Sequence, residues 1–424
     1  MRDMKAVLLS TALVLAFAAL DPLAAEDQYS FRLSGTVDAQ AAGNGKNEDS
    51  VFLDVAPFAE VTAGGLIDGR MQFSRQYTTL ALFDFTFQET NVIDHLSGAK
   101  METLSLLVNE LYTDLNFGDT FFIRLGKQRL KWGAGFVYNP SDPVNPPKDP
   151  TALRAEREGV TALKAELITR PLSVMAFGVL YDALGQTGIG GKLSTSALPG
   201  SDIALSGYWS DSESWTAALN ASVAPLYEIP GWDTLQVWFE GSISEKARYL
   251  VYEPGTLAGA AVPVTATGPS YSFLGGATAQ IPEIRTVLLA EYYHLSEGLG
   301  GADLAAVYDA LRSSDPWVVA ESSGWYAELA RRPGRQGSDY LFASLNQPTI
   351  TDNGDPVLDK IGLNASCLVN LADLSFFLTG GITTAFVKDS SIDLTVQWAH
   401  GDTDTEFGNV PTALSLLLEV KVFF

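Results

Sequence analysis

Apolar and polar residues alternate along the chain with a period of two, and the pattern is clearest at the carboxyl end. One face of that segment carries apolar side chains at Leu414, Leu416, Leu418, Val420, Val422 and Phe424. The other face carries Ala413, Ser415, Glu419 and Lys421, and Leu417 and Phe423 break the order. Because successive side chains of a strand point to opposite faces of a sheet, this pattern predicts a strand with one apolar face.

The same alternation recurs at residues 31–37, 83–87, 235–239, 361–369 and 392–398. Glycine, proline, asparagine and aspartate mark short breaks between such runs, which number about 16 to 20. A closed barrel is the way in which strands satisfy all their backbone hydrogen bonds within lipid. We therefore predict an all-β fold, a transmembrane antiparallel β-barrel of about 16–18 strands with a polar lumen.

The amino terminus has the features of a secretory signal peptide. Arg2 and Lys5 precede an apolar stretch at 6–20, and small residues follow at 24–25. The stretch is shorter than the ~20 residues that a spanning helix needs, which disfavours a membrane anchor. We predict a signal peptide at 1–25 and a single outer-membrane barrel at 26–424, with long loops near 137–158 and 295–338. Long loops in a barrel often fold inward to narrow the pore or cover its outer mouth.

Composition and charge restrict the possible partners. Charged residues make up 18% of the chain and the net charge is −23, which argues against a nucleic-acid-binding surface. The lone Cys367 cannot form an internal disulfide and falls on the apolar face. We expect outer-membrane lipid, small hydrophilic solutes and the barrel-assembly machinery as partners, with Phe424 as the assembly signal. We expect no cofactor and no metal, and the sequence does not indicate an oligomeric state.

A dense group of cations follows the first third of the barrel: Arg124, Lys127, Arg129 and Lys131. A lysine or arginine at the bilayer midplane costs ~2–4 kcal/mol, so some of these side chains must point into the lumen or lie beyond the bilayer. A bulge near Gly126 would turn all four inward. The predicted pore-lining residues are these four cations, the loop residues Arg154 and Arg157, and carboxylates expected to face the basic stripe across the pore, namely Asp84, Glu110 and Asp393.

This segment also carries a sequence motif. The run G-K-Q-x-x-x-W-G at 126–133, followed by N-P-x-D-P-x-N-P at 139–146, resembles porin-like outer-membrane barrels related to alginate exporters. The resemblance implies an approximately 18-stranded channel with a charged constriction. Alginate exporters themselves have an arginine-rich pore, whereas this chain is acidic, so alginate is not the expected cargo.

The leading functional prediction is an outer-membrane porin for passive diffusion of small hydrophilic solutes, with selectivity from a charged constriction. A surface adhesin or structural barrel that acts through its long outer loops is the alternative, motivated by residues 298–338. An enzyme is not expected: His95, His294 and His400 lack metal-ligand spacing, and nothing marks His294 and Ser296 as a catalytic pair.

Two further features have less specific interpretations. The acidic patches at 352–355 and 402–404 could bind calcium, but a solvated turn is the favoured interpretation. Five tryptophans near the predicted strand ends are candidates for the interfacial aromatic girdles, with core packing as the alternative: Trp132, Trp209, Trp215, Trp232 and Trp398.

Overall fold

The computed structural model describes residues 29–53, 58–75, 78–94, 100–118, 120–130, 132–145, 149–151, 159–180, 187–211, 214–224 and 234–424. Within them, eighteen strands form one antiparallel sheet, and its last strand pairs with its first. That closing register joins Val37 to Val422 and Gly43 to Leu416. The sheet is therefore a closed barrel, which confirms the predicted fold class. The predicted signal peptide at 1–25 lies outside the described residues.

The secondary-structure elements follow one another as adjacent antiparallel strands with helices confined to the connections. In chain order the strands are β1 Tyr29–Lys46, β2 Ala59–Arg75, β3 Thr78–Asp94, β4 Lys100–Phe117, β5 Phe121–Gln128, β6 Val160–Thr169, β7 Leu172–Leu180, β8 Thr187–Thr195, β9 Ser201–Ser210, β10 Ser214–Val223, β11 Gln236–Ser244, β12 Leu250–Pro254, β13 Ala261–Thr265, β14 Ser270–Ile281, β15 Thr286–Leu295, β16 Asp339–Gln347, β17 Ile361–Asn370, β18 Phe376–Thr384, β19 Ser390–His400 and β20 Thr412–Phe423. All belong to the barrel except β12 and β13, which form a separate hairpin.

The two ends of the barrel differ in the length of their connections. At the end that holds both barrel termini, β6–β7 and β14–β15 are joined by a few residues. At the opposite end, which we call the long-loop end, the β5–β6, β11–β14 and β15–β16 connections are long. The β15–β16 connection contains α1 Gly301–Leu311, α2 Pro316–Ser322 and α3 Gly324–Ala330. No helix among the described residues is long and apolar enough to cross a membrane.

The three helices and the β12–β13 hairpin share a small hydrophobic core, and we call this unit the cap. Helix α1 forms because its apolar residues recur at helical spacing, and Leu304, Val307 and Tyr308 are buried with no exposed surface. Trp325 and Leu329 of α3 pack into the same core. The cap is therefore a folded unit on the long-loop end rather than a solvated loop.

The period-two pattern matches the two surfaces of the barrel. The apolar set of β20, from Leu414 to Val422, is exposed on the outside, whereas Glu419 is 2% exposed and points inward. Trp209 and Trp215 are register partners across β9 and β10 and are exposed with Trp398, as expected of a girdle. The girdle interpretation is wrong for Trp132, which is buried edge-on against Phe177. Trp232 lies outside the described residues.

The carboxyl-terminal residue takes part in closing the barrel. The backbone of Phe424 exchanges two hydrogen bonds of 3.0 Å with the backbone of Gly35 on β1. The Phe424 ring lies over Gly35, where an added Cβ would come within 2.7 Å of the ring atom Cζ. Glycine at 35 therefore leaves room for the terminal ring. The role of Phe424 as an assembly signal stays a prediction.

Candidate functional site

Residues 132–145, which we call the constriction segment, leave β5 and fold into the barrel against the inner wall. Two glycines make this path possible. Gly133 has φ +64°, a left-handed conformation that favours glycine, and an added Cβ there would collide with the carboxylate of Glu240. A Cβ at Gly135 would collide with the carbonyl oxygen of Tyr138. The backbone of the segment can therefore approach the wall closely.

Glu240 on β11 holds the first half of the segment. Its Oε1 accepts hydrogen bonds from the backbone N–H groups of Ala134 and Gly135, the latter at 2.5 Å. Its Oε2 accepts from the backbone N–H of Ser141 at 3.2 Å and from the Ser141 hydroxyl at 2.8 Å. Glu240 has no exposed surface. A buried carboxylate is tolerated here because several donors replace its hydration.

Glu291 on β15 holds the next two residues in the same way. Its Oε1 accepts from the backbone N–H of Phe136 at 2.5 Å and from Trp238 Nε1 at 3.0 Å, and its Oε2 accepts from the N–H of Val137 at 2.8 Å. Sequence reasoning missed both glutamates as site residues. Their one sequence signal is a lone carboxylate on the inward face of a strand, which does not by itself identify the segment that it binds.

The far side of the segment contacts the β15–β16 connection. The Tyr138 ring stacks on Tyr293 with centroids 4.2 Å apart, and the Tyr138 hydroxyl donates to the carbonyl of Gly334 at 2.7 Å. Further along the β5–β6 connection, Gln397 Nε2 on β19 donates to the carbonyl of Thr151 at 3.0 Å. The connection thus touches strands β11, β15 and β19 and crosses the interior.

The predicted pore-lining residues Arg124, Asp84 and Glu110 lie on adjacent strands of one wall. Arg124 makes a two-pronged contact with Asp114, at 2.6 and 2.8 Å, and lies 3.7 Å above the Tyr112 ring. Asp84 and Glu110 are register partners on β3 and β4, so they stand beside the basic residues of β5 rather than facing them across the pore.

One cation that contacts both of these carboxylates is Arg70 on β2, which sequence reasoning missed. Its Nη2 lies 2.6 Å from Asp84 Oδ2 and 3.5 Å from Glu110 Oε2, and 45% of its side chain is exposed. Asp114, the partner of Arg124, was missed as well. Alternation places Arg70 and Asp114 on the polar face, but it does not reveal which strands become neighbours.

The basic residues that follow Arg124 were predicted to lie beside a bulge at Gly126. The β4–β5 register runs without a bulge there, so that prediction is wrong. The register shifts instead between β3 and β4 beside Asp84, where Asn109 of β4 is the extra residue. Gly126 has φ +127°, a conformation that lets the strand keep its register. Lys127 is half-buried, and the backbone N–H of Arg129 donates to Glu110 at 3.0 Å.

Asp393 belongs to another part of the wall, where its Oδ2 lies 2.7 Å from Lys421 Nζ. Lys131, Arg154 and Arg157 lie outside the described residues. A pore-lining role for the whole predicted set stays a prediction.

A cavity of about 80 Å³ separates the constriction segment from the wall toward the long-loop end. Hydroxyl groups of β10, β11 and β14 line one side, including Thr216, Ser244 and Ser272. Lys246, Arg248 and Arg335 line it as well, together with the carboxylates of Asp142 and Glu297. The cavity beside the segment therefore carries hydroxyl groups and charges of both signs.

Two other predictions concern chemistry elsewhere. Among the described residues, no three metal-ligating side chains come together. In the acidic turn at 352–355, Asp355 accepts hydrogen bonds from the N–H groups of Val357 and Leu358, as a turn carboxylate does. His294 contacts Asp339 at 2.9 Å, and the Ser296 hydroxyl donates to Glu297, so the two side chains have separate partners.

The fold defines the chain as a closed, 18-stranded antiparallel barrel with an infolded loop. No protein-family model and no curated protein matches the sequence. Solved structures do match: Pseudomonas aeruginosa OccK5 (OpdH) has a TM-score of 0.53 at 9% identity, covering 93% of this chain and 98% of that one. Acinetobacter baumannii OccAB1 has a TM-score of 0.52 at 12% identity, covering 93% and 96%. P. aeruginosa OccK11 (OpdR) has a TM-score of 0.52 at 9% identity, covering 94% and 98%.

These likenesses show a shared fold. None of the comparisons supports the resemblance to the alginate-export-type family.

Proposed function

We propose that the protein is an outer-membrane channel through which small hydrophilic solutes diffuse, and that the constriction segment sets its selectivity. The observation that carries the proposal is the closed barrel, which has an apolar outer belt and a polar interior narrowed by a loop fixed to Glu240 and Glu291. An apolar belt of this kind faces hydrocarbon, and charged groups inside favour water-filled passage.

The fold matches support the same proposal, because the Occ structures are outer-membrane porins. In such barrels the short turns face the periplasm and the long loops face outward. The cap and the β5–β6 connection would then lie on the extracellular side, where a solute enters. No cofactor or catalytic step is needed for this function, and we propose that the protein is not an enzyme.

The adhesin alternative gains no support from the loops. In the β15–β16 connection, Trp325 and Leu329 are buried in the core of the cap. The backbone carbonyl of Gly334 in the same connection accepts a hydrogen bond from Tyr138 of the constriction segment. These contacts are those of a loop that shapes the pore entrance.

Planar-bilayer recording tests the proposal directly. Protein refolded from the mature chain is expected to insert and give discrete, ion-permeable conductance steps, and liposomes that contain it are expected to swell in solutions of small sugars or amino acids. Absence of both steps and swelling from correctly folded, heat-modifiable protein would refute channel function.

A further inference from the structure

One buried carboxylate at the long-loop end joins three connections and is not part of the constriction itself. Glu406 lies in the β19–β20 connection and is 2% exposed. Its Oε1 accepts from the N–H of Gln336, which belongs to the β15–β16 connection, at 3.2 Å. Its Oε2 accepts from the Tyr340 hydroxyl at 2.5 Å and from Asn370 Nδ2, at the end of β17, at 2.9 Å.

A short chain of contacts leads from Glu406 to the constriction segment. Two residues before Gln336 lies Gly334, whose carbonyl accepts from the Tyr138 hydroxyl. The side chain of Gln336 also accepts from the hydroxyl of Tyr308 on α1. The stretch 334–336 therefore connects the segment, the cap and the Glu406 loop, so loss of the Glu406 contacts removes a support from all three.

We propose that the hydrogen bonds of Glu406 to Gln336, Tyr340 and Asn370 form a pH-sensitive latch. The latch holds the cap and the constriction segment together in acidic solution and loosens as the solution becomes neutral. The proposal rests on the channel function proposed above and adds its regulation by protons.

Burial, and then the nearby charge of Asp373, raise the pKa of Glu406 from 4.5 to about 7. Burial also raises the pKa of Asp373, whose Oδ2 accepts from the backbone N–H of Glu406 at 2.7 Å. In the latched state Glu406 therefore prefers to be protonated, and in an opened, hydrated state it ionises near its usual pKa. When protonated, it can donate to the Tyr340 hydroxyl, which already accepts from the N–H of Gly337.

The groups that face Glu406 from the elements around it include both signs of charge. They are Tyr340 on β16, Asp373 in the β17–β18 turn, Tyr308 on α1, Arg332 before β16, and Tyr138 in the constriction segment. Further out, Asp404 interacts with Asp373, and Arg335 interacts with Tyr138. No ion pair joins Glu406 to a cation in the part of the chain that the structure describes. Burial lowers the pKa of Arg332, and the charge of Glu406 raises it, so the guanidinium and the carboxylate attract each other.

The direction of the pH effect follows from linkage. A group whose pKa is higher in the latched state stabilises that state fully below its free pKa, and this contribution is lost as the pH rises to the latched-state pKa. The ratio of unlatched to latched channels is therefore expected to rise by up to about tenfold per pH unit between about pH 5 and pH 7, and to level off above. Acid keeps the latch closed.

The test compares wild type, Glu406→Gln and Glu253→Gln in planar bilayers at pH 5, 6, 7 and 8. Glu253 is an exposed residue of β12, so its variant is a matched control for the same chemical change in the cap. Wild type and the control are expected to switch more often, or to conduct more, as the pH rises to 7. Glu406→Gln is expected to stay in the acid-like state at every pH. A pH-independent wild type, or a Glu406→Gln variant with the wild-type pH profile, would overturn the latch.

Limited proteolysis of residues 298–338 in detergent gives a readout that does not depend on conductance. The rate at which Glu406→Gln is cleaved serves as the reference for the pH dependence of the protease itself. Relative to this reference, wild type is expected to be cleaved more slowly at pH 5 than at pH 8. Absence of channel steps at every pH would refute the proposed function, while this arm still tests the latch. If Glu406→Gln does not fold, Tyr340→Phe is the second variant. It removes a hydroxyl that donates to the charged Glu406 carboxylate, so the pH at which the latch loosens is expected to rise. An unchanged pH of loosening would count against the latch.

Discussion

Glu240 fixes the constriction segment, residues 132–145, to the wall, and Glu240→Gln tests this role. The variant keeps the size of the side chain and one acceptor oxygen. Its amide nitrogen must face either the N–H groups of Ala134 and Gly135 or the N–H and hydroxyl of Ser141. If the amide nitrogen faces Ala134 and Gly135, two of the four hydrogen bonds are lost. If it faces Ser141, the hydrogen bond from the Ser141 N–H is lost, but the Ser141 hydroxyl can rotate to accept.

Hydrogen bonds to a charged acceptor contribute ~1.5–3 kcal/mol each. Loss of one would cost ~1.5–3 kcal/mol and loss of two about 3 kcal/mol or more, and relief from burying a charge offsets part of this cost. We expect a net weakening of about 2 kcal/mol, which is about a 30-fold rise in the fraction of time that the segment is undocked. Single-channel records should show more frequent transitions and a wider spread of conductance.

Glu245→Gln is the matched control, since Glu245 follows β11 and its side chain is exposed. Its conductance and current noise are expected to equal those of wild type. The reasoning is refuted if Glu240→Gln folds and its records match those of wild type and Glu245→Gln, because the four contacts would then not limit the position of the segment.

Three further outcomes follow from other parts of the barrel. Arg70→Gln removes a cation that contacts both Asp84 and Glu110, so the reversal potential in a KCl gradient is expected to move toward cation selectivity. An unchanged potential would show that these carboxylates lie away from the ion path. Leu304→Ala empties a fully buried position in the cap and is expected to cost 2–5 kcal/mol of local stability, seen as faster proteolysis of 298–338 with the barrel's heat-modifiable band retained. Gly126→Ala forces a side chain into φ +127° and against the Leu111 carbonyl, so refolding yield should fall, whereas Gly207→Ala, with open space around its Cβ, should refold like wild type.

The sequence predicts the barrel because alternation is a local property: Leu414 and Leu416 point the same way whatever strand lies beside them. Helix α1 is predictable for the same reason. The contacts that build the constriction are not local, since Glu240 lies 105 residues from Gly135 and Glu291 lies 154 from Val137. The positions of strands around the barrel decide which side chains meet. Asp84 on β3 and Glu110 on β4 therefore lie beside Arg124 on β5, whereas we expected them across the pore from it. Residue 126 shows a further limit, because a glycine can take a positive φ where the pattern alone suggests a bulge.

The two anchors of the constriction segment are expected to act on one equilibrium. Glu240 holds the segment at the wall, and Tyr138 joins it through Gly334 to the stretch that Glu406 binds. If the two anchors contributed independently to docking of the segment, the effects of Glu240→Gln and of unlatching at pH 8 on segment release would add.

A shared equilibrium gives a different result. Release at one anchor lowers the cost of release at the other, so the effect of pH should be smaller in Glu240→Gln than in wild type, by 0.5 kcal/mol or more of coupling. The measurement is the conductance distribution of both proteins at pH 5 and pH 8, with Glu245→Gln as reference. Strict additivity would mean that the two anchors contribute independently to docking of the segment. Absence of any pH effect in either protein would mean that the Tyr138–Gly334 contact does not transmit the state of the Glu406 loop to the pore. Loss of coupling in Tyr138→Phe, which removes the hydroxyl that bonds Gly334 but keeps the ring stacked on Tyr293, would identify that hydrogen bond as the connection.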